Sequence, residues 1–106
     1  MKITFKVNSN HGHDTWVQAE GPGPRLSSVK KIKALSQDVH LYTAHQGIIS
    51  PSGNWDITAS KDEGQVYRKT KRLDVMSRPM DDNWVVTITI NPDSSELGFD
   101  LTLAKK

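Results

Sequence analysis

Alternation of apolar and polar residues is the dominant pattern in this chain, and it is clearest near the C-terminus. Trp84, Val86, Ile88 and Ile90 alternate with Val85, Thr87 and Thr89, a period-two pattern rich in β-branched residues. After the turn-forming segment Asn91-Pro92-Asp93-Ser94-Ser95-Glu96, the alternation resumes with Leu97, Phe99, Leu101 and Leu103, leaving Asp100 and Thr102 on the opposite side. Pro92 has no N–H to give to a ladder, so it belongs to the connection. The pattern predicts an antiparallel hairpin of strands 84–90 and 97–104.

The other end of the chain behaves alike. Ile3, Phe5 and Val7 alternate with Lys2, Thr4, Lys6 and Asn8, as in a strand with one buried and one wet face. A polar loop over 8–14 leads to a second short strand over 15–20, with Trp16 or Val17 facing in. Gly21-Pro22-Gly23-Pro24 ends that strand, because proline removes donors and fixes φ.

Three further strands are expected in the middle. Val39, Leu41 and Thr43 alternate, with Ile48-Ile49 as a continuation past a bulge at Gly47. Trp55, Ile57 and Ala59 follow the turn residues Pro51-Ser52-Gly53-Asn54. After Lys61-Asp62-Glu63-Gly64, the run 65–76 carries Tyr67, Leu73 and Val75 on one parity and Val66 on the other, and its charged centre cannot be covered on both faces. One stretch breaks the pattern. Leu26, Val29, Ile32 and Leu35 recur every three residues, which predicts a short basic helix near 26–36 with Ser27 or Ser28 as its cap.

The expectation is therefore an all-β, mainly antiparallel chain: one β-rich domain over 1–106, built as a small two-sheet sandwich of about seven strands. A small, partly open β-barrel is the alternative. The length of 106 residues suits one domain with a thin core. No apolar run approaches the roughly 20 residues a membrane-spanning helix needs, so no membrane partner is expected. No export signal follows Met1, which points to a cytoplasmic location. The chain contains no cysteine, which excludes disulfides, a thiol nucleophile and cysteine-ligated metal.

Charge adds a regional feature. Fourteen Lys and Arg against twelve Asp and Glu give a net charge of only +2. Two stretches are nevertheless basic and free of acid: Arg25, Lys30, Lys31 and Lys33, then Arg68, Lys69, Lys71 and Arg72. The chain beyond Asp74 is mainly acidic. Such a division can steer an acidic partner or favour self-contact, and it also suits solvated sheet and helix surfaces.

Candidate chemistry is sparse. His11 and His13 have a His-x-His spacing that points both rings to one side of an extended segment, where Asp14 can ligate a metal or orient a ring. His40 and His45 are candidate further ligands. A solvated loop with two ordinary histidines explains the same residues. No serine lies in a nucleophile elbow, and Gly21-Pro22-Gly23-Pro24 cannot cradle phosphate because its prolines lack amides. No enzyme activity and no cofactor are expected. By parity Trp55 and Trp84 belong to the core, whereas Trp16, Tyr42 and Tyr67 form a candidate surface set.

The reading these residues favour is a non-catalytic interaction module. It recognises a protein partner or self-associates into a homo-oligomer through charged faces and sheet edges, which can accept another strand. Glycan or nucleic-acid binding through exposed aromatics and cations is the alternative, and metal binding at His11 and His13 a second one.

Overall fold

A computed structural model describes residues 1–23, 27–45, 47, 50–63, 68–75, 82–92 and 98–106, with the side chain of Ser27 left aside. Eight strands cover most of them: β1 (Lys2–Ser9), β2 (Thr15–Glu20), β3 (Ser27–Ile32), β4 (Val39–His45), β5 (Asn54–Ser60), β6 (Arg68–Asp74), β7 (Asn83–Ile90) and β8 (Phe99–Lys105). They form two four-stranded sheets, β4-β1-β7-β8 and β3-β2-β5-β6. All pairings are antiparallel except β1 with β7, which run in parallel register from Lys2 opposite Asn83 to Ser9 opposite Ile90. Among the described residues there is no helix. The sandwich expectation is met, with eight strands among the described residues against about seven expected.

The core is what the alternation implies. Ile3, Phe5 and Val7 of β1, Val86, Ile88 and Ile90 of β7, and Val17, Ala19, Ile57 and Ala59 of the other sheet are all fully buried. Trp55 and Trp84 are buried as well. The Trp55 indole N–H donates to the Pro51 carbonyl at 2.8 Å, so its one polar atom is not orphaned inside.

The helix near 26–36 is not formed. Residues 27–32 are strand β3, paired with β2 from Ser27 opposite Glu20 to Ile32 opposite Thr15, and Leu26 lies outside the described residues. A three-residue spacing places Val29 and Ile32 on opposite faces of a strand. Ile32 is fully buried, whereas Val29 is 57 % exposed and Leu35, beyond the strand, 68 %. Local spacing lost to pairing: β2 offers a free edge, and β-branched residues suit a pleated surface better than a helix. On the inner side of β3, Ser28 Oγ and Lys30 Nζ donate to the carbonyls of Leu41 and His40 in the facing sheet, at 3.4 and 3.0 Å.

Two loops close one end of the sandwich. Ser9 N–H donates to Ser36 O at 2.7 Å, Leu35 N–H to His11 O at 3.2 Å, and Gln37 Nε2 to Ser9 O at 3.0 Å. Asp38 N–H donates to Asn8 Oδ1 at 2.6 Å in the same region, where Leu35 and Asp38 have left-handed backbone with φ of 58° and 57°. The continuation of a strand through Ile48-Ile49 lies outside the described residues, as do Val66, Met76 and Leu97.

Candidate functional site: the outer face of β3-β2-β5-β6

Strand register decides which polar side chains meet on the face of this sheet that points away from the core. Because Val17 and Ala19 face in, Trp16 and Gln18 face out. Lys31 stands opposite Trp16 on β3, Ser60 opposite Trp16 on β5, and Arg68 opposite Ser60 on β6. Lys31, Trp16, Ser60 and Arg68 therefore form one row across all four strands, about 14 Å long at the usual strand spacing. The next row holds Val29, Gln18, Thr58 and Thr70, and Thr58 and Thr70 share a hydroxyl hydrogen bond of 3.0 Å.

An open groove of about 620 Å³ lies along this face, lined by Trp16, Gln18, Val29, Lys30, Lys31 and Glu63. Trp16 is half-buried and forms its aromatic wall. The Lys31 ammonium lies over the indole, 5.6 Å from the ring centroid, and 3.4 Å from Asp14 Oδ2. A cation so placed gains from the negative face of the ring and keeps its charge at the groove. Asp14 is held in turn by the Ala34 N–H, which donates to Oδ1 at 2.9 Å. That backbone hydrogen bond, with Lys31 and then Lys33 adding smaller effects, keeps the Asp14 carboxyl below its ordinary value despite some opposing desolvation.

Period-two geometry splits the two basic stretches. Arg68 and Arg72 share the outer face with Trp16, and Arg72 is paired with Asp56 at 3.1 Å. Lys69 and Lys71 have the opposite parity. Lys71 reaches across to β8, 5.5 Å from the Phe99 ring centroid and 3.9 Å from Asp100. Lys30 lines the groove from the edge while bonded to His40 O, and Lys33 is exposed just beyond β3. Arg25 and Tyr67 lie outside the described residues.

Tyr42 is not part of a surface set. The β1–β4 ladder pairs Phe5 with Tyr42 and Lys6 with His40, leaving Leu41 as an extra residue. This bulge turns both Leu41 and Tyr42 toward the core, where Tyr42 packs on Phe5 and Trp55. Simple alternation carries no sign of the extra residue.

The histidine loop is also arranged differently from an extended His-x-His segment. The chain turns, His11 is buried to 5 % exposure while His13 stays exposed, and the ring centroids are 5.8 Å apart. His11 Nδ1 accepts the His13 backbone N–H at 3.1 Å, which makes that ring a brace for the loop. Asp14 already has its two oxygens on Ala34 and Lys31. His40 Nε2 bonds to Thr43 Oγ1 at 2.7 Å on the outer face of the other sheet. Among the described residues, no three His, Asp or Glu side chains form a group able to hold a metal ion.

Three groove residues escaped the sequence reading. Gln18 was accessible to it, two positions from Trp16 on the same face. The three-residue spacing places Val29 on a helix, and Glu63 comes from the β5–β6 turn, which period-two reasoning does not place. No protein-family model matches this chain, and no curated protein matches it. No helix among the described residues is long and apolar enough to cross a membrane.

Proposed function

We propose that the protein is a non-catalytic binding module that presents the outer face of β3-β2-β5-β6 to a partner carrying negative charge. The observation behind this reading is the row Lys31–Trp16–Ser60–Arg68, in which an aromatic ring in a groove has one cation beside it and a second two strands away on the same face. Aromatic area supplies contact at low entropic cost, and cations at the rim speed and orient the approach of an acidic molecule. Lys33 adds to the same end of the sheet.

The partner is taken to be a different molecule from this chain. The sheet's two edge strands, β3 and β6, carry Lys30, Lys31, Arg68, Lys69, Lys71 and Arg72. Two copies meeting at these edges bring like charges together, a common way in which native sheets avoid edge-to-edge association.

The test compares two double variants of equal charge. Fluorescence anisotropy with labelled poly-glutamate, uronan oligosaccharides and single-stranded DNA measures affinity at several salt concentrations. Lys31→Gln with Arg68→Gln, both on the outer face, is expected to weaken the bound probe severalfold. Lys69→Gln with Lys71→Gln, on the opposite parity, is expected to change it little. Equal losses for the two pairs mean that only net charge matters, and the outer-face reading then fails.

A further inference from the structure

The outermost strands of the two sheets, β4, β8, β3 and β6, differ in how they shield their free backbone groups. β4 carries the bulge at Leu41, and its His40 and Leu41 carbonyls accept Lys30 Nζ at 3.0 Å and Ser28 Oγ at 3.4 Å. The same two side chains tie β3 to β4. β6 carries Arg68, Lys69, Lys71 and Arg72 along its length. Bulges, lysines and covered edges are the usual means by which native sheets avoid pairing with other chains. Among the described residues β8 has none of them. It is a regular seven-residue strand, paired with β7 alone and uncharged between Asp100 and Lys105.

The phase of the β7–β8 ladder identifies its free groups. Asn91 N–H donates to Gly98 O at 2.9 Å, and Lys106 N–H to Asn83 O at 2.8 Å, at the two ends of the register. Bonded and non-bonded pairs alternate in an antiparallel ladder, so Asp100, Thr102 and Ala104 also turn their backbone groups toward β7. Phe99, Leu101, Leu103 and Lys105 turn theirs to the open edge. Leu101 and Leu103 are half-buried on the core side of this edge, whereas Asp100, Thr102 and Lys106 lie on the outer side.

We propose that β8 accepts an extended segment of another polypeptide as a further antiparallel strand. A polypeptide backbone repeats its donors and acceptors every two residues, which matches the groups that these four residues present. Charge decides what the segment carries. Asp100 is 70 % exposed, with only Lys71 near it at 3.9 Å among the described residues, and Lys106 is exposed at the other end. The segment that fits has an acidic residue near its N-terminus, opposite Lys106, and a basic one near its C-terminus, opposite Asp100. Apolar residues at alternate positions between them pack beside Leu101 and Leu103. A second copy of this chain fits less well. Pairing two β8 strands about a two-fold axis continues both layers, so the two β6 strands come side by side with their cations. A lone segment brings no second sheet.

Amide hydrogen exchange on the free chain is the first test. Leu101, Leu103 and Lys105 are expected to exchange quickly, and Thr102 and Ala104 slowly. Slow exchange at all five means that the edge is already covered, and the inference fails. The probe is then a fluorescein-labelled peptide, Glu-Val-Thr-Val-Thr-Val-Lys, followed by anisotropy. It is expected to bind. N-methylation of its three valines, whose N–H groups face β8, is expected to abolish binding, and N-methylation of its two threonines to leave it. The reversed peptide Lys-Val-Thr-Val-Thr-Val-Glu keeps composition and net charge and is expected to bind severalfold more weakly. Leu103→Pro removes an outward N–H and is expected to weaken binding about tenfold or more, whereas Leu103→Ala keeps that donor and costs less. If Leu103→Pro does not fold, the methylated peptides carry the test.

Failure of the first peptide to bind overturns the inference. So does equal or tighter binding of the reversed peptide, or indifference to valine methylation. A dimer seen by light scattering that Leu103→Pro disperses overturns it as well, since a second copy then occupies the edge. The outer-face reading stands or falls separately, on its own variants.

Discussion

Phe5 and Tyr42 stand opposite each other across the β1–β4 ladder, their ring centroids 6.4 Å apart and their planes 27° from parallel. Leu41 makes this pairing by bulging out of register, which rotates Tyr42 from the solvent side to the core side. Tyr42→Ala is accordingly expected to destabilise the fold by about 2–3 kcal/mol, below the roughly 3–5 kcal/mol for a fully buried aromatic. Urea denaturation measures this. Ligand affinity at the Trp16 groove should be unchanged in the same variant, since Tyr42 belongs to the interior.

Gly53 has a φ of 130°, and a Cβ built there lies 2.9 Å from Pro22 Cβ and 3.0 Å from Pro22 Cγ. Its carbonyl also accepts the Val75 N–H at 2.9 Å, which ties the start of β5 to the end of β6. Gly53→Ala meets both a backbone region that L side chains avoid and a rigid ring. A loss of about 1–3 kcal/mol is expected, read as a lower thermal midpoint. Pairing it with Pro22→Gly should recover only the steric share.

Asp14 connects the loop after β1, the end of β3 and the groove cation Lys31. Its folded-state pKa lies below the ordinary 3.8. Where the unfolded chain binds the proton more readily than the folded one, stability rises with pH. The Asp14 contribution is therefore complete above its unfolded pKa and disappears as pH falls through the lowered folded value. The difference in thermal midpoint between the parent and Asp14→Asn should be largest near neutral pH and should shrink through the region below about pH 4. A constant difference down to strong acid contradicts the account in which the Ala34 N–H, and to a lesser extent Lys31, favours the Asp14 carboxylate.

Two polar contacts should differ sharply in value. Arg72 and Asp56 form an ion pair 3.1 Å long with side chains 67 % and 42 % exposed, so Arg72→Ala is expected to cost less than about 1 kcal/mol. Trp55→Phe removes the buried indole N–H that bonds to Pro51 O. Leaving that carbonyl unpaired, together with the lost volume, is expected to cost about 1–3 kcal/mol. Chemical denaturation of the two variants side by side separates the cases.

Much of the fold was legible from alternation because burial in a sandwich is periodic by construction. Ile3, Phe5, Val7, Val86, Ile88 and Ile90 all have the faces that parity assigned to them. The misses share one cause. Val29 and Ile32 looked helical because spacing within one segment says nothing about the neighbouring strand that captures it. Tyr42 looked exposed because an extra residue in one strand is defined only against its partner. The basic run 68–72 appeared as a single cluster, although pleating sends Arg68 and Arg72 one way and Lys69 and Lys71 the other.

The order of residues by itself determined the class of structure: which positions prefer an apolar interior, where turns interrupt the chain, and which chemistries its composition excludes. These are local properties, set by side-chain transfer energies and backbone sterics within a few residues. Tertiary structure alone decided that Lys31, Trp16, Ser60 and Arg68 lie in one row, and that Glu63 joins Lys30 and Lys31 around one groove. Register is a relation between strands far apart in sequence, and shifting one strand by a single residue sends its entire set of side chains to the other face.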